Sequence, residues 1–131
     1  MNKEELKQQV CAVIDAYADK IKDVADSIAD EPELGFKEVK TAAKVAAFMR
    51  ELGLEPQTGL AINGVKARAK GAKEGPTAAV LGELDAITCP DSCKADPLTG
   101  AAHACGHNLQ IASMLGAACG IMKSDALKHL A

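Results

Sequence analysis

The chain has 131 residues, enough for one domain with a modest core. It is 48% hydrophobic, much of that alanine, with no Trp, one Tyr and two Phe, and its formal net charge is -3. No basic run or basic face appears and no apolar stretch approaches transmembrane length, so no nucleic-acid or membrane partner is expected. The start, Met1 to Gln9, is too polar for a secretory signal. With five cysteines, an odd number, the chain reads as a cytoplasmic protein with reduced thiols.

Leu6, Val10, Val13, Tyr17, Ile21, Val24 and Ile28 recur at steps of three or four, which predicts one long amphipathic helix. It stops at Asp30-Glu31-Pro32, because proline disfavours helix in the residue before it. A second helix is predicted over 37–52, with Val39, Ala42, Ala43, Ala46 and Met49 on one face and Gly53 just past its end. Turn signals follow at Thr58-Gly59 and Asn63-Gly64. Short strands are predicted over 64–70 and 77–83. The run Ala78-Ala79-Val80-Leu81 is continuously apolar, as in a strand buried on both faces.

Glu83 and Asp85 are two residues apart at the end of that strand, so both can face one crevice, where open α/β sheets bind ligands. A loop over 88–102 then leads to His103-Ala104-Cys105-Gly106-His107-Asn108. A thiol, two imidazoles and two nearby carboxylates are the mixed donors that zinc accepts. In an extended segment Cys105 and His107 point the same way and can share a metal, with Gly106 allowing close backbone approach. Leu109, Ile111, Ala112, Met114, Leu115, Ala118 and Ile121 predict a last helix with Asn108 as its N-cap, an end that favours negative charge. Cys89 and Cys93 flank Pro90-Asp91-Ser92 and read as thiols of an exposed loop, with a metal or redox pair as the alternative. Cys11 and Cys119 fall in helical patterns and read as packing residues.

Pro32-Glu33-Leu34-Gly35-Phe36, Gly82-Glu83-Leu84-Asp85-Ala86 and Gly100-Ala101-Ala102-His103-Ala104-Cys105-Gly106-His107-Asn108 together resemble the aminoacylase and carboxypeptidase family of dinuclear-metal peptidases. The branch it looks most like holds amidohydrolases similar to aminobenzoyl-glutamate hydrolase and to aminoacylase-like dipeptidases. The resemblance spans about 30–120. It implies an α/β fold: part of a zinc-exopeptidase-like catalytic domain, with helices packed on a small mixed sheet. Residues 1–131 would be the N-terminal part of that domain, without the lid or dimerisation domain. The implied activity is metal-dependent cleavage of an amide bond in an N-acyl amino acid or dipeptide, with zinc as the metal and manganese or cobalt as alternatives.

By the same resemblance Cys105 and His107 match metal ligands, and Asp85 matches the catalytic acid that supports the site. Glu83 stands where many relatives have a histidine ligand and this branch often has an acid, and is taken as a third ligand. Relatives carry a Glu-Glu pair shortly downstream, one member being the general base. No Glu follows His107 here. The isolated chain is therefore expected to bind metal weakly or not at all, to lack turnover and to self-associate through an unpaired edge. A small structural zinc protein and a non-catalytic globular fragment are the rival readings.

Overall fold

The computed structural model describes residues 1–131. Its helices are α1 (Lys3–Ala16), α2 (Ala18–Asp30), α3 (Val39–Glu51) and α4 (His107–Lys123), followed by a single 3₁₀ turn at Ala126–Lys128. Asn2 opens α1 through a reciprocal cap: its side chain accepts from the N–H groups of Glu4 and Glu5, and Glu5 accepts from the N–H of Asn2. The single helix expected from Leu6 through Ile28 breaks at Tyr17, which sits at φ -102° and ψ 8°. Length supplies a reason. A straight helix over 3–30 would be about 42 Å long, against about 26 Å for α4. The break lets α1 and α2 both lie on α4.

The core is where α2, α3 and α4 meet. Ile28, Val45, Phe48, Ile111, Leu115 and Cys119 are buried there. Burial of Cys119 agrees with its expected packing role, whereas Cys11 lies exposed on α1, a helix with no fully buried residue. All five thiols are free. No helix is long and apolar enough to cross a membrane.

α3 is capped from a distance. Its N-cap residue, Glu38, makes no side-chain cap bond. The Glu33 carboxylate replaces it, accepting from the N–H groups of Lys40 (3.0 Å) and Thr41 (2.7 Å) and from the Thr41 hydroxyl (2.8 Å). At the other end Gly53 takes φ +89°. Its N–H donates to the Arg50 carbonyl and the N–H of Leu54 to the Met49 carbonyl, closing a Schellman motif at the glycine where the sequence places the stop.

The architecture is mixed α/β as expected, but the sheet is not a single one. β1 (Gln57–Leu60) and β2 (Gly64–Lys66) form an antiparallel hairpin, so the stretch read only as turns carries a strand, and the strand expected over 64–70 ends at Lys66. β3 (Ile87–Thr88) and β4 (Ala101–Ala102) form a second antiparallel ladder. One parallel bridge joins Leu34 to Ala86, reinforced by the Ala86 N–H donating to the Glu33 carbonyl at 2.8 Å. The segment 77–83 is not a strand. Val80 and Leu81 are 66% and 80% exposed, and the backbone over 77–82 makes no hydrogen bond. An apolar run of this kind is buried only when neighbours cover both faces, and here α4 comes close only at Gly82.

Candidate metal centre

Two pieces of backbone converge on the site. The Leu34–Ala86 bridge fixes Asp85 and Glu83 at the end of an extended segment. The β3–β4 ladder, with Ala101 and Ala102 buried, delivers the chain to the start of α4. Between them, Asp96 orders the loop by accepting from the N–H groups of Leu98 and Thr99 and from the Thr99 hydroxyl.

α4 begins two residues earlier than expected. Gly106 is its N-cap, at φ +78°, and His107 is its first helical residue. A Cβ at Gly106 would meet nothing within 4 Å, so the glycine serves this left-handed backbone rather than a close approach. Asn108 is not the cap. It is buried and donates its side-chain N–H to the Ala25 carbonyl at 3.3 Å.

His107 is gripped at both ring nitrogens. Nδ1 lies 2.8 Å from the Asp85 backbone carbonyl and 3.1 Å from Asp85 Oδ1. A carbonyl oxygen can only accept, so Nδ1 carries a proton and donates it. In the neutral ring Nε2 is then a lone pair, and it lies 3.1 Å from Glu83 Oε2, another acceptor. Two acceptors at that distance repel unless a positive charge sits between them. A proton on Nε2 would serve, and so would a metal ion. Zinc bonds of 2.0–2.2 Å at tetrahedral angles place two donors roughly 3.3–3.6 Å apart, a little wider than the contact seen. The donors and their spacing therefore fit a divalent metal, with the Asp85 contact fixing the tautomer as outer carboxylates do for metal-bound histidines.

The same groups act on the ring's own proton. Desolvation pulls the His107 pKa down, but the Asp85 carbonyl and the negative charges of Asp85 and Glu83 outweigh it and raise it above the ordinary value. The neighbouring His103 is pushed the other way, first by desolvation and then by the charge of His107, with Asp85 opposing. Both ring nitrogens of His103 are buried without a hydrogen-bond partner. An imidazole always carries at least one N–H, so this ring leaves a polar group unsatisfied beside the site.

The structure brings together Glu83, Asp85 and His107 and leaves Cys105 outside that contact. Residues 104–105 form a turn rather than an extended segment, so alternation does not place Cys105 beside His107, and its side chain is exposed. No group of three His, Cys, Asp or Glu side chains converges as a ready shell. Gln110 is the residue sequence reasoning missed. It accepts from the Glu83 N–H at 2.6 Å and donates to Glu83 Oε2 at 3.4 Å. The signal was its spacing, three residues after His107 on one helix face.

No family-level sequence profile matches the chain. It is similar to the amidohydrolase YhaA of Bacillus subtilis, 38% identical over 90 residues that make up 66% of this chain and 23% of that protein. Thermostable carboxypeptidase 2 of Saccharolobus solfataricus is 33% identical over 76% of this chain and 26% of its own length. N-acetylcysteine deacetylase of Bacillus subtilis is 34% identical over 68% of this chain and 24% of its own. Among solved structures, the chain superposes on the Bacillus subtilis YxeP protein, a dinuclear metal-binding peptidase of the M20 family. The TM-score is 0.74 at 28% identity, over 83% of this chain and 32% of that one. The chain thus spans about a quarter of the length of the curated relatives it matches. Its motifs, its sequence relatives and its fold agree: the chain belongs to the M20 family of dinuclear-metal peptidases and amidohydrolases.

Proposed function

We propose that this chain forms part of the metal site of an amidohydrolase that cleaves an N-acyl amino acid or a dipeptide. The reading rests on one observation, His107 Nε2 and Glu83 Oε2 facing each other at 3.1 Å, a contact that a proton or a divalent metal ion between them satisfies. Relatives named as an amidohydrolase, a carboxypeptidase and an N-acetylcysteine deacetylase support the reaction class.

His107 and Glu83 would hold the metal, and Asp85 would hold His107 in its tautomer and orientation. Cys105 keeps its assignment as a ligand by resemblance alone. We take the metal as zinc, with manganese and cobalt suited to the same nitrogen and oxygen donors. A bound divalent metal supplies Lewis acidity toward an amide carbonyl and lowers the pKa of water. Glu83 and Asp85 contribute negative charge and orientation, and the proton-accepting carboxylate is assigned to the Glu-Glu pair that relatives carry downstream. Residues 1–131 are then the N-terminal part of the catalytic domain. We also read the chain as cytoplasmic, on its five unpaired thiols, and as self-associating through 77–82.

A closed structural zinc site needs four converging ligands, and no three converge here. The test has two parts. Purified 131-residue protein should take up zinc weakly and lose it to a chelator, and should not turn over a panel of N-acyl amino acids and dipeptides. A longer chain carrying the Glu-Glu pair should hydrolyse members of the panel with added zinc, manganese or cobalt. His107→Ala should lower that rate at least about a hundredfold, more than loss of an outer partner costs. Turnover that survives both His107→Ala and Glu83→Ala would sink the proposal, and chelator-resistant stoichiometric zinc in the short chain would mark a structural site instead.

A further inference from the structure

Glu83 is a long side chain, 62% exposed, at the end of a segment that makes no backbone hydrogen bond of its own over 77–82. Such a carboxylate would ordinarily swing through solvent, because ordering it costs up to about 1.5–2 kcal/mol of rotamer freedom. Here it faces His107 Nε2. Something must hold it there, and Gln110 hydrogen-bonds both its backbone and its carboxylate.

The amide of Gln110 uses both ends. Its Oε1 accepts from the Glu83 N–H at 2.6 Å, and only an oxygen can accept there. That fixes the amide orientation and turns Nε2 toward Glu83 Oε2, 3.4 Å away. The same Oε2 faces His107 Nε2 at 3.1 Å. Gln110 and His107 are three residues apart on the first turn of α4, so one rigid element carries both the imidazole and the clamp. Glu83 reaches the site from a separate, unpaired segment, and Gln110 ties the two together.

We propose that Gln110 is a positioning residue. It holds the Glu83 carboxylate against His107 so that the two donors are preorganised for one divalent cation. This rests on the metal reading above and adds what makes Glu83 a ligand rather than a solvated surface acid. Both side-chain hydrogen bonds of Gln110 go to Glu83, which makes its role one of positioning.

The experiment follows the His107 ring signals by NMR while zinc is added to millimolar concentration, in the complete 131-residue chain. The proteins are wild type, His107→Ala, Glu83→Ala, Gln110→Met and the Glu83→Ala/Gln110→Met double variant. For His107→Ala the Glu83 amide signal replaces the ring as probe. Met keeps the length and helix propensity of Gln and removes both hydrogen bonds. Gln110→Met should fold and melt as wild type does, yet bind zinc about tenfold more weakly, the lower end of what outer partners contribute. In the Glu83→Ala background the same substitution should change nothing, since the group it positions is gone. The Glu83 amide should also lose protection from exchange in Gln110→Met.

If wild type shows no zinc response, or His107→Ala responds equally, the metal reading fails and the proposal falls with it. If wild type binds and His107→Ala does not, but Gln110→Met binds as wild type does, the positioning role alone is overturned. An equal loss from Gln110→Met with and without Glu83 would show a general effect on the helix start and overturn it too.

Discussion

Asn108 sits one residue into α4, where its type invites a capping role, but its side chain turns inward to the Ala25 carbonyl. The two roles predict opposite results for one substitution. At an N-cap, Asn and Asp are equivalent, and near a helix N-terminus the charge of Asp is favourable. In the observed place an ionised Asp cannot donate and would set a buried carboxylate against a carbonyl. Asn108→Asp should therefore lower unfolding free energy by about 1–3 kcal/mol, read from the denaturant midpoint. Glu31 offers a second residue-level test. Hydrogen bonds from Lys40 and then Lys44 hold its pKa down to about 2, against an ordinary 4.5. A depressed carboxylate pKa contributes stability that is present above about 4.5 and lost as pH falls toward about 2. Wild type should melt higher than Glu31→Gln near neutral pH, with the difference gone near pH 2. A constant difference across that range would contradict the assignment. The site was partly legible at this scale. The two-residue spacing of Glu83 and Asp85 put both on His107. The alternation argument for Cys105 does not apply, because it holds only in extended chain and 104–105 is a turn. The Glu33 cap was not legible at all, since it acts across seven and eight residues on a helix start that another acid already occupies.

At the level of elements, helix existence was written in the apolar spacing, and the stops at Pro32 and Gly53 lie where the chemistry of those residues puts them. The break at Tyr17 was not, because the period continues through it; only the limited length of α4 makes the break useful. Close packing on α4 depends on two glycines that differ in a testable way. A Cβ at Gly120 would come within 2.8 Å of Val10 Cγ1 and 2.9 Å of Ile14 Cγ1, both on β-branched side chains with stiff χ1. At Gly116 the nearest atom is the flexible tip of Ile21, Cδ1, at 3.3 Å. Replacing a helical glycine by alanine gains about 1 kcal/mol of propensity, while overpacking costs roughly 1–3 kcal/mol. Gly120→Ala should lower the melting temperature and Gly116→Ala should leave it unchanged or raise it. The reverse order would mean that α1 does not pack against α4 as described.

Across the whole molecule, the largest departure from sequence expectation is 77–83. The apolar run reads as a buried strand, but no strand pairs with it and its two largest side chains are exposed. Val80 and Leu81 are left exposed on a backbone with unpaired N–H and C=O groups, an edge that invites pairing with another chain. Replacing both by Lys should reduce concentration-dependent light scattering without lowering the melting temperature, since neither side chain is in the core. Scattering unchanged by the double substitution would move the sticky surface elsewhere.

The same segment governs how the chain would come apart under attack. Extended backbone free of hydrogen bonds is the form a protease binds, so the first cut should fall within 77–82. A cut there breaks no core contact. The piece carrying α1, α2 and α3 stays packed on the piece carrying α4 through Ile28, Ile111 and Leu115. The nicked protein would elute as one particle, with Glu83 and His107 still on the same fragment.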